Sequence, residues 1–359
     1  MRIALVTDAW MPQRNGVVRV LATLAETLGA MGHTIGVMEP SAFTTLPCPS
    51  YPEIPLALFP AARLGRMLDE FRPDAVHLAT EGPLGWAGRA WCLRHDLPFT
   101  TAYHTKFPEY VRARTGVPLA WPYGVMRRFH GRAAATLCPS PSVYRELSAW
   151  GFPGAVEWSH GVDTRTFRPQ GKDFFDLPRP IFMYVGRVAV EKNLPAFLSL
   201  DLPGTKVVVG DGPARAALIK RFPGTHFRIV NGDEELSRAF SAADAFVFPS
   251  LTDTFGLVML EALASGVPVA AFPVTGPLDV VGGTEVGVLD EDLRRAALAA
   301  LTLSPSACRD HACRFSWQTV ADQFLGHLRP FTLLARAGCS FRRHRPCWPP
   351  LSWKSGGSR

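Results

Sequence analysis

The residues best suited to chemistry in this 359-residue chain lie in its second half. An apolar run, Ile181-Phe182-Met183-Tyr184-Val185, ends in Gly186-Arg187-Val188-Ala189-Val190-Glu191-Lys192-Asn193, which puts two cations at a strand end just ahead of a helix. Cations so placed can neutralise a diphosphate, Arg187 through its planar fork and Lys192 as a point charge. Asn193 has the residue type of a helix cap. Farther on, Asp253-Thr254-Phe255-Gly256-Leu257 opens a helical stretch that carries Glu261 about two turns along. This spacing lets one carboxylate address a sugar hydroxyl and the other a ribose, with the amides near Gly256 and Leu257 offered to phosphate. In the first half, Asn15-Gly16 precedes a helix, where exposed N–H groups and the positive end of the dipole form an anion site. His104, in Ala102-Tyr103-His104-Thr105, closes a strand; taken alone, such a histidine is more often structural than catalytic.

The elements that must hold these residues alternate. Short apolar runs over 2–7, 34–38, 74–78, 98–103, 135–138 and 155–158 predict strands, with helices between them, such as 17–31, where Val17, Val20, Leu21, Leu24 and Leu28 recur at helical spacing. The pattern restarts at 181–185, 206–209, 227–230, 245–248 and 267–270 after a polar, Pro-containing linker over about 160–180. The expectation is an α/β chain of two doubly wound domains, 1–165 and 166–315, facing a central cleft into which the C-terminal strand ends open. A helix over 316–329 would pack back on the first domain. No Gly-x-x-x-x-Gly-Lys-Ser/Thr loop, no Gly-x-Gly-x-x-Gly after the first strand and no Gly-x-Ser-x-Gly elbow occurs, which disfavours NTPase, dinucleotide-oxidoreductase and serine-hydrolase readings.

These motifs resemble family 4 of the nucleotide-sugar glycosyltransferases, retaining enzymes of the GT-B fold, over about residues 1–329. The resemblance implies that the Gly16 backbone, Arg187 and Lys192 hold a donor diphosphate. It places Phe255, Gly256 and Leu257 against the sugar phosphate, Glu261 on the ribose hydroxyls and His104 facing the donor sugar. The family motif usually opens with Glu, so Asp253, one methylene shorter, reads as a subfamily variation. The opening Val-Thr-Asp-x-x-x-Pro-x-x-Asn-Gly-Val-Val pattern is most similar to mannosyl- and glycolipid-forming members, which points to GDP-mannose. A metal-independent transfer with retention follows from the resemblance, with no cofactor and a sugar or lipid acceptor. A catalytically silent sugar-nucleotide-binding scaffold and a sugar-nucleotide epimerase of related fold are the competing expectations.

The charge is unevenly spread. Of the net +7, residues 330–359 carry +6, in a Pro- and Trp-containing tail expected to be disordered, so the total gives little support to nucleic-acid binding. Residues 106–132 carry a local +5, with Lys106, Arg112, Arg114, Arg127, Arg128 and Arg132 against Glu109, interleaved with Phe107, Tyr110, Trp121, Tyr123 and Phe129. Basic and aromatic residues so mixed fit an anionic membrane surface as well as a solvated helix face. No run reaches the ~20 apolar residues of a membrane span, and seven scattered Cys argue for reduced thiols. A cytoplasmic protein, peripheral at the inner membrane face, is the expectation. Cys308-Arg309-Asp310-His311-Ala312-Cys313 has metal-capable atoms but too few partners for a zinc site.

Overall fold

The computed structural model describes residues 1–13, 15–48 and 51–331; of the tail expected to be disordered, 332–359 lie outside them, as do Arg14, Pro49 and Ser50. The first half contains β1 (Arg2–Val6), β2 (Thr34–Met38), a hairpin of β3 (Thr45–Cys48) and β4 (Tyr51–Ala57), then β5 (Ala75–Leu78), β6 (Thr100–Ala102), β7 (Ala135–Cys138) and β8 (Ala155–Glu157). The second half contains β9 (Ile181–Val185), β10 (Thr205–Val209), β11 (His226–Arg228), β12 (Ala245–Phe248), β13 (Val269–Ala271) and β14 (Gly287–Leu289). Apart from the antiparallel β3–β4 hairpin, every ladder is parallel, forming two six-stranded sheets ordered β2-β1-β5-β6-β7-β8 and β11-β10-β9-β12-β13-β14.

Both faces of each sheet are covered, and the strands show it. Met183 and Val185 join one core with Phe246 and Phe248, while the alternate residues Phe182 and Tyr184 join Val208 and Val247 on the other face. Strands buried on both faces read as continuous apolar runs, which is why they are visible in the sequence. In such sheets the ligand crevice lies where strand order reverses. Here the reversals fall between β1 and β5 and between β9 and β12, so the loops after β1, β9 and β12 reach the same cleft.

The stretch 160–180 departs from expectation. Val162, Phe167 and Phe175 are buried in the second core, and Arg309 Nη1 and Nη2 donate to the carbonyls of Phe167 and Thr164 at 2.5 and 2.7 Å. What composition suggests is a polar linker is therefore a packed strap. The helix Trp317–His327 lies against the first half: Val320, Ala321 and Phe324 share a core with Val20, Leu24 and Leu28, and Trp158 Nε1 donates to the Val320 carbonyl at 3.1 Å.

Candidate active site

The first helix, Gly16–Ala30, begins in the cleft because Asn15 caps it: its Oδ1 accepts from the Val18 N–H at 3.0 Å. Opposite stands the N-terminus of the helix Leu257–Ala264, entered through Gly256 at φ +85°, a left-handed conformation that a side chain strains. A methyl placed on Gly16 would lie 3.8 Å from Leu257 Cδ1, so the two helix starts are in register across the cleft. Their combined N–H groups and dipoles favour an anion between them.

Beside this pair, Lys192 Nζ donates to both carboxylate oxygens of Asp253, at 2.6 and 2.9 Å. Burial opposes the lysine charge, but Asp253 outweighs it and holds the ammonium pKa above its ordinary value. The strand-end cation and the carboxylate expected to address the sugar thus form one unit. Arg187, two residues past β9, is half-buried, and its carbonyl accepts from Tyr184 OH at 3.0 Å. Asn193 is not the side-chain cap its type suggests. At φ +51° its amide turns away from the helix it precedes and donates to the Pro249 carbonyl at 3.1 Å, tying the cationic loop to the end of β12.

Glu261 is 6 % exposed, and burial leads a net upward shift of its pKa. Its Oε1 accepts from Arg19 Nη1 at 2.5 Å, and Nη2 of the same guanidinium pairs with Asp233. Arg19 is absent from the sequence-based site. The only signal for it is a cation three residues after Gly16 on a helix otherwise defined by its apolar stripe.

His104 sits at the end of β6 among aromatic neighbours. Its ring stacks on His160 at 6.0 Å and meets Trp158 edge-on at 5.9 Å, and His160 in turn meets Phe255 at 5.1 Å. His104 Nε2 is buried and has no hydrogen-bond partner among the described residues. Burial first, then His160, keeps the imidazole pKa well below 6.5, so His104 is neutral. Its carbonyl accepts from Thr254 Oγ1 at 2.9 Å, Ser140 Oγ donates to the Thr254 carbonyl at 3.2 Å, and Ser142 Oγ donates to Asp279 Oδ1 at 2.8 Å. From the same side, burial raises the pKa of Tyr110, which lies in the field of Lys192 and Asp253. Gly16, His104, Lys192, Asp253, Phe255, Gly256, Leu257 and Glu261 therefore belong to one interdomain seam.

The basic stretch is less exposed than its composition suggests. Lys106 is 9 % exposed and donates to Glu146 at 2.8 Å, while Glu109 turns inward to accept from Tyr123 OH at 2.7 Å. The outward charge comes instead from Arg112, Arg127, Arg128 and Arg132, beside Trp121 at 75 %, Val125 at 52 % and Phe107 at 50 % exposure. Trp121, Val125 and Arg128 share one face of the helix Ala120–His130, and exposed Arg132 lies in the turn just past its end. The side chain of Arg114 lies outside the described residues. The Cys308 to Cys313 stretch is structural: Cys308 is buried and His311 Nε2 hydrogen-bonds the Val280 carbonyl at 2.9 Å. Among the described residues no group of three His, Cys, Asp or Glu is placed to hold a metal, and no helix is long and apolar enough to cross a membrane.

Two doubly wound sheets facing each other across a seam are the architecture of the GT-B glycosyltransferases. Residues 14–166 match the family described as Glycosyltransferase Family 4 and residues 179–304 the one described as Glycosyl transferases group 1. A GDP-mannose-dependent alpha-mannosyltransferase of Mycobacterium tuberculosis is 31% identical, over 91% of this chain and 96% of its own length. The sulfoquinovosyl transferase SQD2 of Arabidopsis thaliana is 33% identical over 68% of this chain and 51% of its own. Among solved structures, a sucrose-phosphate synthase from Thermosynechococcus elongatus superposes with a TM-score of 0.71 at 21% identity, covering 94% of this chain and 99% of that one. Anabaena HepE in complex with UDP and glucose gives 0.68 at 16%, covering 93% and 100%. The chain belongs to the family 4, group 1 glycosyltransferases and is a hexosyltransferase that uses a nucleotide sugar.

Proposed function

We propose that this chain transfers a mannosyl group from GDP-mannose, with retention and without a metal, to a lipid-linked or sugar acceptor at a cytoplasmic membrane surface. The observation that carries the reading is the convergence of two helix N-termini, the Lys192–Asp253 unit and buried Glu261 on one seam. The relative named above as GDP-mannose-dependent supports the donor. The alpha-monoglucosyldiacylglycerol synthase of Streptococcus pneumoniae, 25% identical over 96% of this chain, supports a lipid acceptor.

The chemistry follows from the charges. As the bond from the anomeric carbon to the diphosphate oxygen breaks, negative charge grows on the phosphate and positive charge on the sugar ring. Preorganised donors aimed at the phosphate lower this barrier most, and Arg187, Lys192 and the two helix N-termini are such donors. Glu261 anchors the ribose through its hydroxyls. Neutral His104, facing the sugar, orients it without adding a repelling charge. The acceptor oxygen bonds to the anomeric carbon on the face the diphosphate leaves, and its proton passes to the departing phosphate oxygen. The hydrogen bonds of the seam, Thr254 to His104 and Ser142 to Asp279, hold the cleft shut against water. The Trp121, Val125 and Arg128 face, with Arg132 just past it, would set the first half on an anionic surface.

The test is a donor panel of GDP-mannose, UDP-glucose, UDP-galactose and ADP-glucose with anionic lipid vesicles. Nucleoside diphosphate release is followed, and the product's anomeric configuration is read by NMR. The reading expects release from GDP-mannose and an alpha product; an inverted product, or no release from any donor, contradicts it.

A further inference from the structure

Arg19 joins the halves in a way the transfer chemistry does not use. It projects from the helix Gly16–Ala30, yet its partners all lie in the second half or the strap leading to it. Glu261 is on the helix Leu257–Ala264, Asp233 in the first turn of the helix Gly232–Ala242, and the Phe167 ring lies 5.3 Å beneath the guanidinium. The two carboxylates are unlike. The Glu261 side chain is 7 % exposed and has little water to replace Arg19, whereas that of Asp233 is 56 % exposed. A guanidinium has enough donors, in a rigid fork, to serve both at once.

We propose that Arg19 is an interdomain latch that shares Glu261 with the donor's ribose. Ribose hydroxyls arriving at Glu261 displace one arm of the guanidinium, and Asp233 retains the other, so the first helix stays docked while the donor is held. This inference rests on the ribose role assigned above to Glu261. It makes Arg19 a positioning residue, acting through closure rather than through contact with the reacting atoms. Removing either end of the latch then has a different signature. Without Arg19 the halves keep only the seam hydrogen bonds of Thr254 and Asp279 and open more readily in every state. Without the Asp233 charge, Glu261 still holds Arg19 until a nucleotide takes it.

Small-angle scattering of the full chain, alone and with each of GDP, UDP and ADP, reads closure directly, and calorimetry on the same samples reads affinity. Wild type is expected to stay compact in both states. Arg19→Gln should show a larger radius of gyration throughout. Asp233→Asn should be compact alone and expand when the nucleotide binds. Glu261→Gln separates this idea from the one it rests on. If the ribose assignment is wrong, Glu261→Gln leaves nucleotide affinity unchanged. If only the latch is wrong, Glu261→Gln weakens binding by tenfold or more while Arg19→Gln scatters like wild type. An Asp233→Asn protein that stays compact with bound nucleotide also overturns the hand-over.

Discussion

Gly16→Ala separates what the fold needs at the cleft from what a donor needs. Gly16 is the first residue of its helix, has no positive φ, and a methyl added there would meet only Leu257 Cδ1, at 3.8 Å, an ordinary van der Waals contact. Nothing in the protein therefore requires glycine. Replacing Gly by Ala where the conformation is tolerated stabilises by up to about 1 kcal/mol, mainly by restricting the unfolded chain. In a protein of this size that corresponds to a rise in Tm of about 1–3 °C. If a diphosphate lies against the Gly16 backbone, however, the methyl occupies its space and pushes the phosphate off the two helix N-termini. A misplacement of about 1 Å costs roughly 100-fold in rate. The expected outcome is a Tm equal to or above wild type with kcat/KM for the sugar nucleotide down by about two orders of magnitude. Differential scanning calorimetry and a nucleoside diphosphate release assay measure the two sides. A variant that keeps kcat/KM within twofold of wild type would remove Gly16 from the donor site.

Three further outcomes follow from other parts of the structure. Burial pushes the His160 pKa down from 6.5 to about 4 and that of His77 to about 3. The unfolded chain therefore binds more protons than the folded one below pH 6.5, and the stability these groups contribute falls as pH drops. At pH 5 each group accounts for a loss of about 2 kcal/mol. Between pH 7 and pH 5, His160→Asn should lose about 2 kcal/mol less stability than wild type in denaturant titrations; an equal loss contradicts the assignment. Asp8 accepts from the Leu84 and Gly85 N–H groups at 2.9 and 3.3 Å and from Thr80 Oγ1 at 2.9 Å, so Asp8→Ala should destabilise by about 2–3 kcal/mol. A Tm within a degree of wild type argues against Asp8 as a cap on the helix Pro83–Arg94. On vesicles containing anionic lipid, Arg128→Ala/Arg132→Ala should bind about 30-fold more weakly, at about 1 kcal/mol per cation. Equal co-sedimentation of wild type with anionic and neutral vesicles removes the membrane face.

What could be seen in advance and what could not divide along a physical line. Parallel strands such as β9, β10 and β12 are apolar on both faces, and their loops carry motif residues in sequence, so the sheets and the Arg187, Lys192 and Asp253 positions were legible. The hairpin β3–β4 was not, because Thr45-Leu46-Pro47-Cys48 mixes polar, apolar and Pro residues without alternation. Asn193 has the residue type of a cap, yet its backbone conformation turns its amide to Pro249. Lys106 and Glu109 count as surface charge in a composition sum, but each finds a partner on another element, Glu146 and the buried Tyr123. Arg19 was the least legible of all. Its partner Glu261 is 242 residues away, and a contact made only when two sheets face each other leaves no local period.

The strand-end cations Arg187 and Lys192 are the groups expected to hold the nucleoside diphosphate. Calorimetric titration of GDP, UDP and ADP into wild type and into Arg187→Ala/Lys192→Ala tests this role most directly. Two charge-assisted contacts at about 1.5–3 kcal/mol each set the expected loss at more than about 100-fold. Wild type is expected to bind at least one of the three, and the double variant to lose that affinity by this factor while remaining folded, at a Tm lowered by the loss of the Lys192–Asp253 pair. Equal binding by the two proteins, or no binding by wild type, would contradict that role.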